Sequence, residues 1–86
     1  MNLNDLRKWL IENNVPKYHY VINELGAGEA DGVGFINNYW CTYYSERGQY
    51  ESIKKYKSED EACLAFERII RRVMERQHST QLSSMD

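Results

Sequence analysis

Cysteine, proline and long apolar runs are all scarce in this chain, and each scarcity excludes a class of protein. Two cysteines, Cys41 and Cys63, are too few for the disulfide framework of a small secreted domain. No apolar run approaches the ~20 residues that a helix needs to cross a bilayer. The first residues lack the basic and apolar segments of a signal peptide, so the expected location is the cytoplasm.

Residues of the kinds that commonly act in catalysis are also few in this chain. His19 lies on a predicted strand and His78 lies near the C-terminal end, and neither has a second ligand at metal spacing. No Ser-His-Asp or Cys-His arrangement can be assembled from neighbouring residues. The two cysteines are interpreted as small buried hydrophobic residues. We therefore expect no enzymatic activity, no catalytic residue, no cofactor and no metal site.

A glycine-rich loop, Glu24–Gly32, carries the acids Glu24, Glu29 and Asp31. These acids are too few for calcium, which takes about 6–8 oxygen ligands. No lysine follows the glycines as it does in a phosphate-binding loop, and the acids would repel a phosphate. Two interpretations stay open, namely solvated loop acids or a surface that binds a basic protein.

Aromatic residues crowd the hairpin that follows the loop. Five of them fall within twelve residues: Tyr39, Trp40, Tyr43, Tyr44 and Tyr50. A tyrosine ring often fills the edge of a core while its hydroxyl reaches water. Because the chain has seven tyrosines, we expect that some of them are exposed and can bind a partner.

Periodicity and turn residues predict six elements. A helix covers about Leu3 to Asn13, and a second helix begins at the capping box Ser58–Glu61 and extends to about Arg76. Strands are predicted at about Lys17–Asn23, Val33–Asn37, Tyr39–Ser45 and Gln49–Tyr56, with a bulge or an early end in the last.

The predicted order is therefore α-β-β-β-β-α, which indicates the α+β class. We expect a two-layer sandwich in which the N-terminal and C-terminal helices flank an antiparallel meander of four, or three, strands. Helices on one side would leave an aromatic sheet face toward solvent. Residues 1–76 are predicted to form a single domain, and residues 77–86 a flexible C-terminal tail.

Charge is divided unevenly along the chain. Residues 1–53 carry four Lys/Arg and seven Asp/Glu, a balance of −3, whereas residues 54–86 carry seven against six, a balance of +1. The basic residues of the last helix alternate with acids, and Glu67 and Arg71 have the spacing of a surface ion pair. The acidic first part disfavours a nucleic-acid backbone and favours a cationic protein partner.

Three segments of the chain carry a resemblance to a known family: Glu24–Phe35, Trp40 with Tyr43–Gly48, and Ser58–Ala62. Together they resemble small immunity proteins, the antidotes of bacterial polymorphic-toxin and contact-dependent growth inhibition systems. The resemblance covers about residues 18–75. It implies a cytoplasmic, non-enzymatic protein that binds and neutralises one cognate toxin C-terminal domain, often a nuclease, and it implies no catalytic residues.

The partner-binding surface expected on this interpretation is acidic and aromatic. It comprises Glu24, Glu29, Asp31, Tyr39, Tyr43, Tyr44, Glu46, Arg47 and Glu51. The alternative is an RNA-binding or ribosome-associated module that uses the sheet tyrosines and the basic C-terminal helix. The acids at the start of the last helix, where a double-stranded-RNA-binding domain needs lysines, disfavour that alternative.

Overall fold

The computed structural model describes residues 1–26 and 28–85, with the backbone alone for residues 77–85. The described residues form two α-helices, a short 3-10 helix and one four-stranded sheet, which places the chain in the predicted α+β class. The elements in chain order are α1 Leu3–Glu12, the 3-10 helix Lys17–His19, β1 Tyr20–Ile22, β2 Ala30–Ile36, β3 Tyr39–Glu46, β4 Gln49–Tyr56 and α2 Glu59–Met85.

Helix α1 forms where the sequence predicts it. The side chain of Asn2 caps its start by accepting a hydrogen bond from the backbone N–H of Asp5 at 2.8 Å. Leu6 and Leu10 lie one turn apart and are completely buried, so the apolar stripe faces the core. The helix ends before Asn14, whose φ of 54° is incompatible with a continuing helix.

Helix α2 begins at the predicted capping box and extends beyond its predicted end. Ser58 Oγ accepts the backbone N–H of Glu61 at 3.2 Å, and Glu61 Oε2 accepts the N–H of Lys57 at 3.1 Å. The helix continues past Arg76 to Met85. The side chains of residues 77–86, including His78, lie outside the described residues, and the flexibility of this segment stays a prediction.

Strands β2, β3 and β4 pair antiparallel in chain order, as the meander predicts. Each hairpin turn uses two residues with positive φ, which matches the right-handed twist of the strands. These are Asn37 (54°) with Asn38 (70°), and Arg47 (52°) with Gly48 (76°). The predicted irregularity of β4 is confirmed by a register shift between Thr42 and Tyr44 on β3, which pairs with β4.

The prediction of a fully antiparallel meander is wrong at β1, because this strand pairs parallel to β2. The register joins Tyr20 to Asp31 and Ile22 to Val33. Adjacent parallel strands normally require a long crossover connection. Here β1 has only three residues, so the chain must travel back only ~10 Å before β2 begins, and residues 23–29 cover that distance.

The segment before β1 also differs from its prediction as one strand over Lys17–Asn23. Its first three residues form the 3-10 helix, closed by a hydrogen bond from the His19 N–H to the Pro16 carbonyl at 3.0 Å. Proline fixes φ at −60° at this position and so favours a turn over an extended start. As a result Tyr18 is 75% exposed and does not share a sheet face with Tyr20.

The core lies between the two helices and one face of the sheet. It contains Leu6, Leu10, Val15, Val33, Ala62, Cys63, Phe66 and Ile70. Burial confirms the interpretation of both cysteines as small hydrophobic residues, and it raises the pKa of the Cys63 thiol to about 11. Among the described helices, none combines the length and apolar character needed to cross a membrane.

The opposite sheet face is covered in part by the loop between β1 and β2, which corrects the predicted exposed aromatic face. The Tyr43 hydroxyl donates to the Glu24 carbonyl at 2.6 Å, and the Gly26 N–H donates to Ser45 Oγ at 2.9 Å. Tyr43 is therefore only 3% exposed. Gly32 on β2 makes room for the ring, since a β-carbon there would overlap it.

Candidate functional site

The strand register collects most of the predicted binding residues at one end of the sheet. There β2 begins, β3 ends and β4 begins, so Asp31 lies opposite Tyr44 and Tyr44 lies opposite Glu51. Directly opposed residues share a sheet face. We call this region the acidic end, and it comprises Glu29, Asp31, Tyr44, Glu46, Arg47 and Glu51.

Tyr44 is the centre of the acidic end. Its hydroxyl donates a hydrogen bond to Glu29 Oε2 at 3.2 Å. The pKa of Tyr44 is raised by desolvation, by that hydrogen bond, and by the negative charges of Glu29, Asp31 and Glu46. The hydrogen bond to Glu29 and the strand pairing with Asp31 and Glu51 place three carboxylates next to Tyr44.

Asp31 is the most desolvated carboxylate of the acidic end. Desolvation raises its pKa, and the positive charges of His19 and Arg76 oppose that effect only in part. The residue is half-buried on β2. A carboxylate that is partly desolvated in this way lowers the stability of the folded protein. Destabilising residues of this kind are common among those that bind a ligand or a partner.

Asp31→Asn tests that cost. Because the folded pKa of Asp31 lies above the ordinary 3.8, the ionised carboxylate destabilises the fold at neutral pH. We expect the variant to gain a few tenths to about 1 kcal/mol of unfolding free energy near pH 7, a modest gain because solvent screens a half-exposed group. The gain should disappear below pH 3.8, where the carboxyl group is protonated in both states.

Urea unfolding of both proteins on either side of that pH measures the difference. A variant that is equally stabilised at both pH values, or destabilised at neutral pH, would show that Asp31 does not strain the fold.

A cleft of about 420 Å³ lies between the acidic end and the middle of α2. Its polar lining consists of His19, Glu29, Asp31, Tyr44, Arg72 and Arg76. Ala30, Ile69 and Val73 form the apolar part of the lining. The sheet wall is thus acidic and the helix wall basic, so the cleft has an internal dipole.

Three of the predicted binding residues lie away from the acidic end. Tyr43 is buried beneath the chain's own loop and cannot contact a partner in this fold. Tyr39 lies at the opposite end of the sheet, next to the β2–β3 turn, with Lys55 Nζ 4.3 Å from its ring centroid. Glu24 is exposed on the loop over the other sheet face.

No protein-family model, no curated protein and no solved structure matches this chain. The site is therefore interpreted from its own chemistry.

Metal and thiol chemistry have little support at this site. Among the side chains that the structure describes, no group of three His, Cys, Asp or Glu residues is arranged to hold a metal ion. Burial raises the pKa of both cysteine thiols, so the reactive thiolate is scarce near neutral pH. The chemical features of this site are its charged side chains and the shape of its surface.

The basic wall of the cleft is the part that sequence reasoning missed. Arg72 and Arg76 lie more than forty residues from Asp31 in the chain, and helical periodicity assigns them only to a solvated face. The spacing of two arginines four residues apart, beside Ile69 and Val73 of the apolar stripe, is the signal that places them at its edge. In the sequence His19 is an isolated histidine, and only the fold brings it to the lining of the cleft.

Proposed function

We propose that this protein is a non-enzymatic, cytoplasmic immunity protein whose acidic end binds a basic surface of a cognate bacterial toxin domain, a nuclease. The observation that carries the proposal is that Glu29 accepts a hydrogen bond from the Tyr44 hydroxyl, while Asp31 and Glu51 lie directly opposite Tyr44 on the two neighbouring strands. Helix α2 packs on one face of the sheet, and Glu29, Arg47 and Glu51 of the acidic end are exposed to solvent.

No lysine or arginine forms a close ion pair with a carboxylate of the acidic end in residues 1–26 and 28–76, and Arg76 attracts Asp31 only at longer range. The close ion pairs that the N-terminus, lysines and arginines of these residues form join the Met1 ammonium to Asp60 and Arg71 to Glu67. Neither pair involves the acidic end. Clustered charges of one sign give a field that accelerates encounter with an oppositely charged protein.

A nuclease is a fitting partner because its substrate site must attract a polyanion. Proteins that bind nucleic acids do so with clustered lysines and arginines. Carboxylates at the acidic end can occupy the positions that phosphates would take, and so block the site. Tyr44 and Arg47 are the residue types that most often anchor interfaces, and Arg47 is exposed at the tip of the β3–β4 turn.

The RNA-binding alternative has weaker support. Stacking needs accessible rings, whereas Tyr43 is buried and Tyr39 has Lys55 Nζ against its ring. The acidic end would repel a phosphate backbone that followed the sheet. RNA binding is therefore best treated as an outcome of the functional test.

Growth rescue tests the proposal directly. The C-terminal domain encoded by the gene immediately upstream is expressed alone and together with this protein. We expect growth arrest in the first case and growth in the second, with a stable complex of the two purified domains. The proposal fails if the upstream domain is not toxic or if co-expression does not restore growth. Tight, salt-sensitive binding of mixed-sequence RNA would instead favour the alternative.

A further inference from the structure

The cleft between the acidic end and α2 has walls of opposite charge that no close ion pair joins. In residues 1–26 and 28–76, no ion pair within 4.0 Å joins Glu29 or Asp31 to Arg72 or Arg76. Asp31 is attracted to His19, which also lines the cleft, and at longer range to Arg76. The two walls therefore face each other across open space.

This arrangement selects the charge of any ligand that fills the cleft. A simple cation would be attracted by Glu29 and Asp31 but repelled by Arg72 and Arg76. A simple anion such as phosphate would be attracted by Arg72 and Arg76 but repelled by Glu29 and Asp31. A molecule that carries one charge of each sign satisfies both walls at once. Asp31 is half-buried, which strengthens its attraction to a cation relative to open water, whereas Glu29, Arg72 and Arg76 are exposed.

The remaining lining fixes the middle of such a ligand. Ile69 and Val73 lie one helical turn apart beside the arginines, and Ala30 lies between the two acids in sequence. These side chains offer apolar surface to methylene groups. A cleft of about 420 Å³ is at the small end of the range for ligand pockets, so the ligand is a small molecule.

We propose that this cleft is a binding site for a small zwitterion, an amino acid or a molecule of similar size with a terminal ammonium and a terminal carboxylate. The ammonium lies against Asp31 and Glu29, and the carboxylate lies against Arg72 and Arg76, whose guanidinium groups suit a carboxylate. The methylene groups cross Ile69 and Val73. The site goes beyond the proposed function and does not depend on it.

Titration of the isolated protein with ε-aminocaproate and γ-aminobutyrate, followed by two-dimensional amide NMR, tests the site. These probes carry both charges at two different separations. Pentylamine keeps only the cation of ε-aminocaproate, and hexanoate keeps only its anion. We expect at least one zwitterion to bind about 10-fold more tightly than both single-charge controls, because each control loses one charge-assisted contact. The shifted amides should belong to β2, β3 and α2 residues of the cleft.

Two variants and two matched controls complete the test. Asp31→Asn and Arg76→Gln should each weaken the zwitterion about 10-fold or more. Glu12→Gln and Arg68→Gln remove the same charges from exposed positions outside the cleft and should leave its affinity unchanged.

Two results would overturn the proposal. One is equal affinity for the zwitterions and the single-charge controls. The other is the absence of shifts at the cleft with about 20 mM of either zwitterion. Because no toxin is present, either failure leaves the proposed immunity function to its own test.

Discussion

Tyr43→Ala is expected to destabilise the protein by about 3–5 kcal/mol, the cost of removing a large buried aromatic side chain. The ring fills the space above Gly32, meets Tyr50 edge-on at 4.8 Å between centroids, and holds the loop through the Glu24 carbonyl. Stability is roughly 4–13 kcal/mol for a chain of 86 residues, so the loss is a large fraction of the total. Urea unfolding measures it.

Tyr43→Phe is the matched control because it removes the hydroxyl and keeps the ring. We expect it to cost only about 0.5–1.5 kcal/mol, the value of one hydrogen bond. Burial raises the pKa of Tyr43 to about 12, so wild-type stability should fall as the pH rises from 10.0 toward 12, while the phenylalanine variant lacks this component of the loss. An alanine variant as stable as the phenylalanine variant would show that the loop does not depend on the ring.

The double variant Glu29→Lys with Glu51→Lys is expected to slow association with the toxin domain by about 10- to 100-fold at low salt. Both residues are exposed, and they lie on either side of Tyr44, so reversal changes the local field with little effect on packing. Stopped-flow association rates over a range of salt concentrations measure the effect. The salt dependence of the variant should be flat or inverted, because attraction has become repulsion.

Net charge must be separated from charge position in that experiment. Glu12→Lys with Glu75→Lys reverses two exposed acids on the helices and changes the net charge equally, from −2 to +2, because each reversal adds two. We expect this control pair to change the association rate only slightly. Equal slowing by both pairs would mean that overall charge, and not the acidic end, steers the encounter.

Local patterns predict the elements of this fold well. The stripe of Leu6 and Leu10, and the capping box at Ser58 with the apolar positions behind it, each predict a helix because burial of one face repeats with the helical period. Asn37-Asn38 and Gly48 predict their hairpins because asparagine and glycine tolerate positive φ, whereas the positive φ of Arg47 is not predicted from its residue type. Local sequence is sufficient to predict a helix or a turn because its backbone conformation and hydrogen bonds depend on residues that are close together in the chain.

Apart from the local 3-10 turn at Lys17–His19, the corrected features depend on contacts between distant residues. Nothing in Tyr20–Ile22 distinguishes a parallel from an antiparallel partner, because three residues satisfy either ladder. Tyr43 and Tyr44 are adjacent and chemically identical, yet one is buried and the other is partly exposed. Which of them is covered depends on where the β1–β2 loop folds, and that loop lies about twenty residues earlier in the chain.

The candidate site likewise has a part that the sequence predicts and a part that it does not. The acids and Tyr44 could be named from the sequence because they are close together in it, and the hairpin register then aligns them. Arg72 and Arg76 could not be named from the sequence, because their position across the cleft depends on how α2 crosses the sheet. That crossing is set by the packing of Phe66 and Ile70 in the core.

Amide NMR of this protein during titration with the toxin domain measures most directly whether the acidic end is the docking face. We expect the signals of Asp31, Tyr44, Glu46 and Glu51 to shift or broaden first, while those of Asn37 and Asn38 at the far end of the sheet keep their positions. Shifts confined to the Asn37–Asn38 end or to the exposed face of α1, with the acidic end unchanged, would contradict a docking role for these carboxylates.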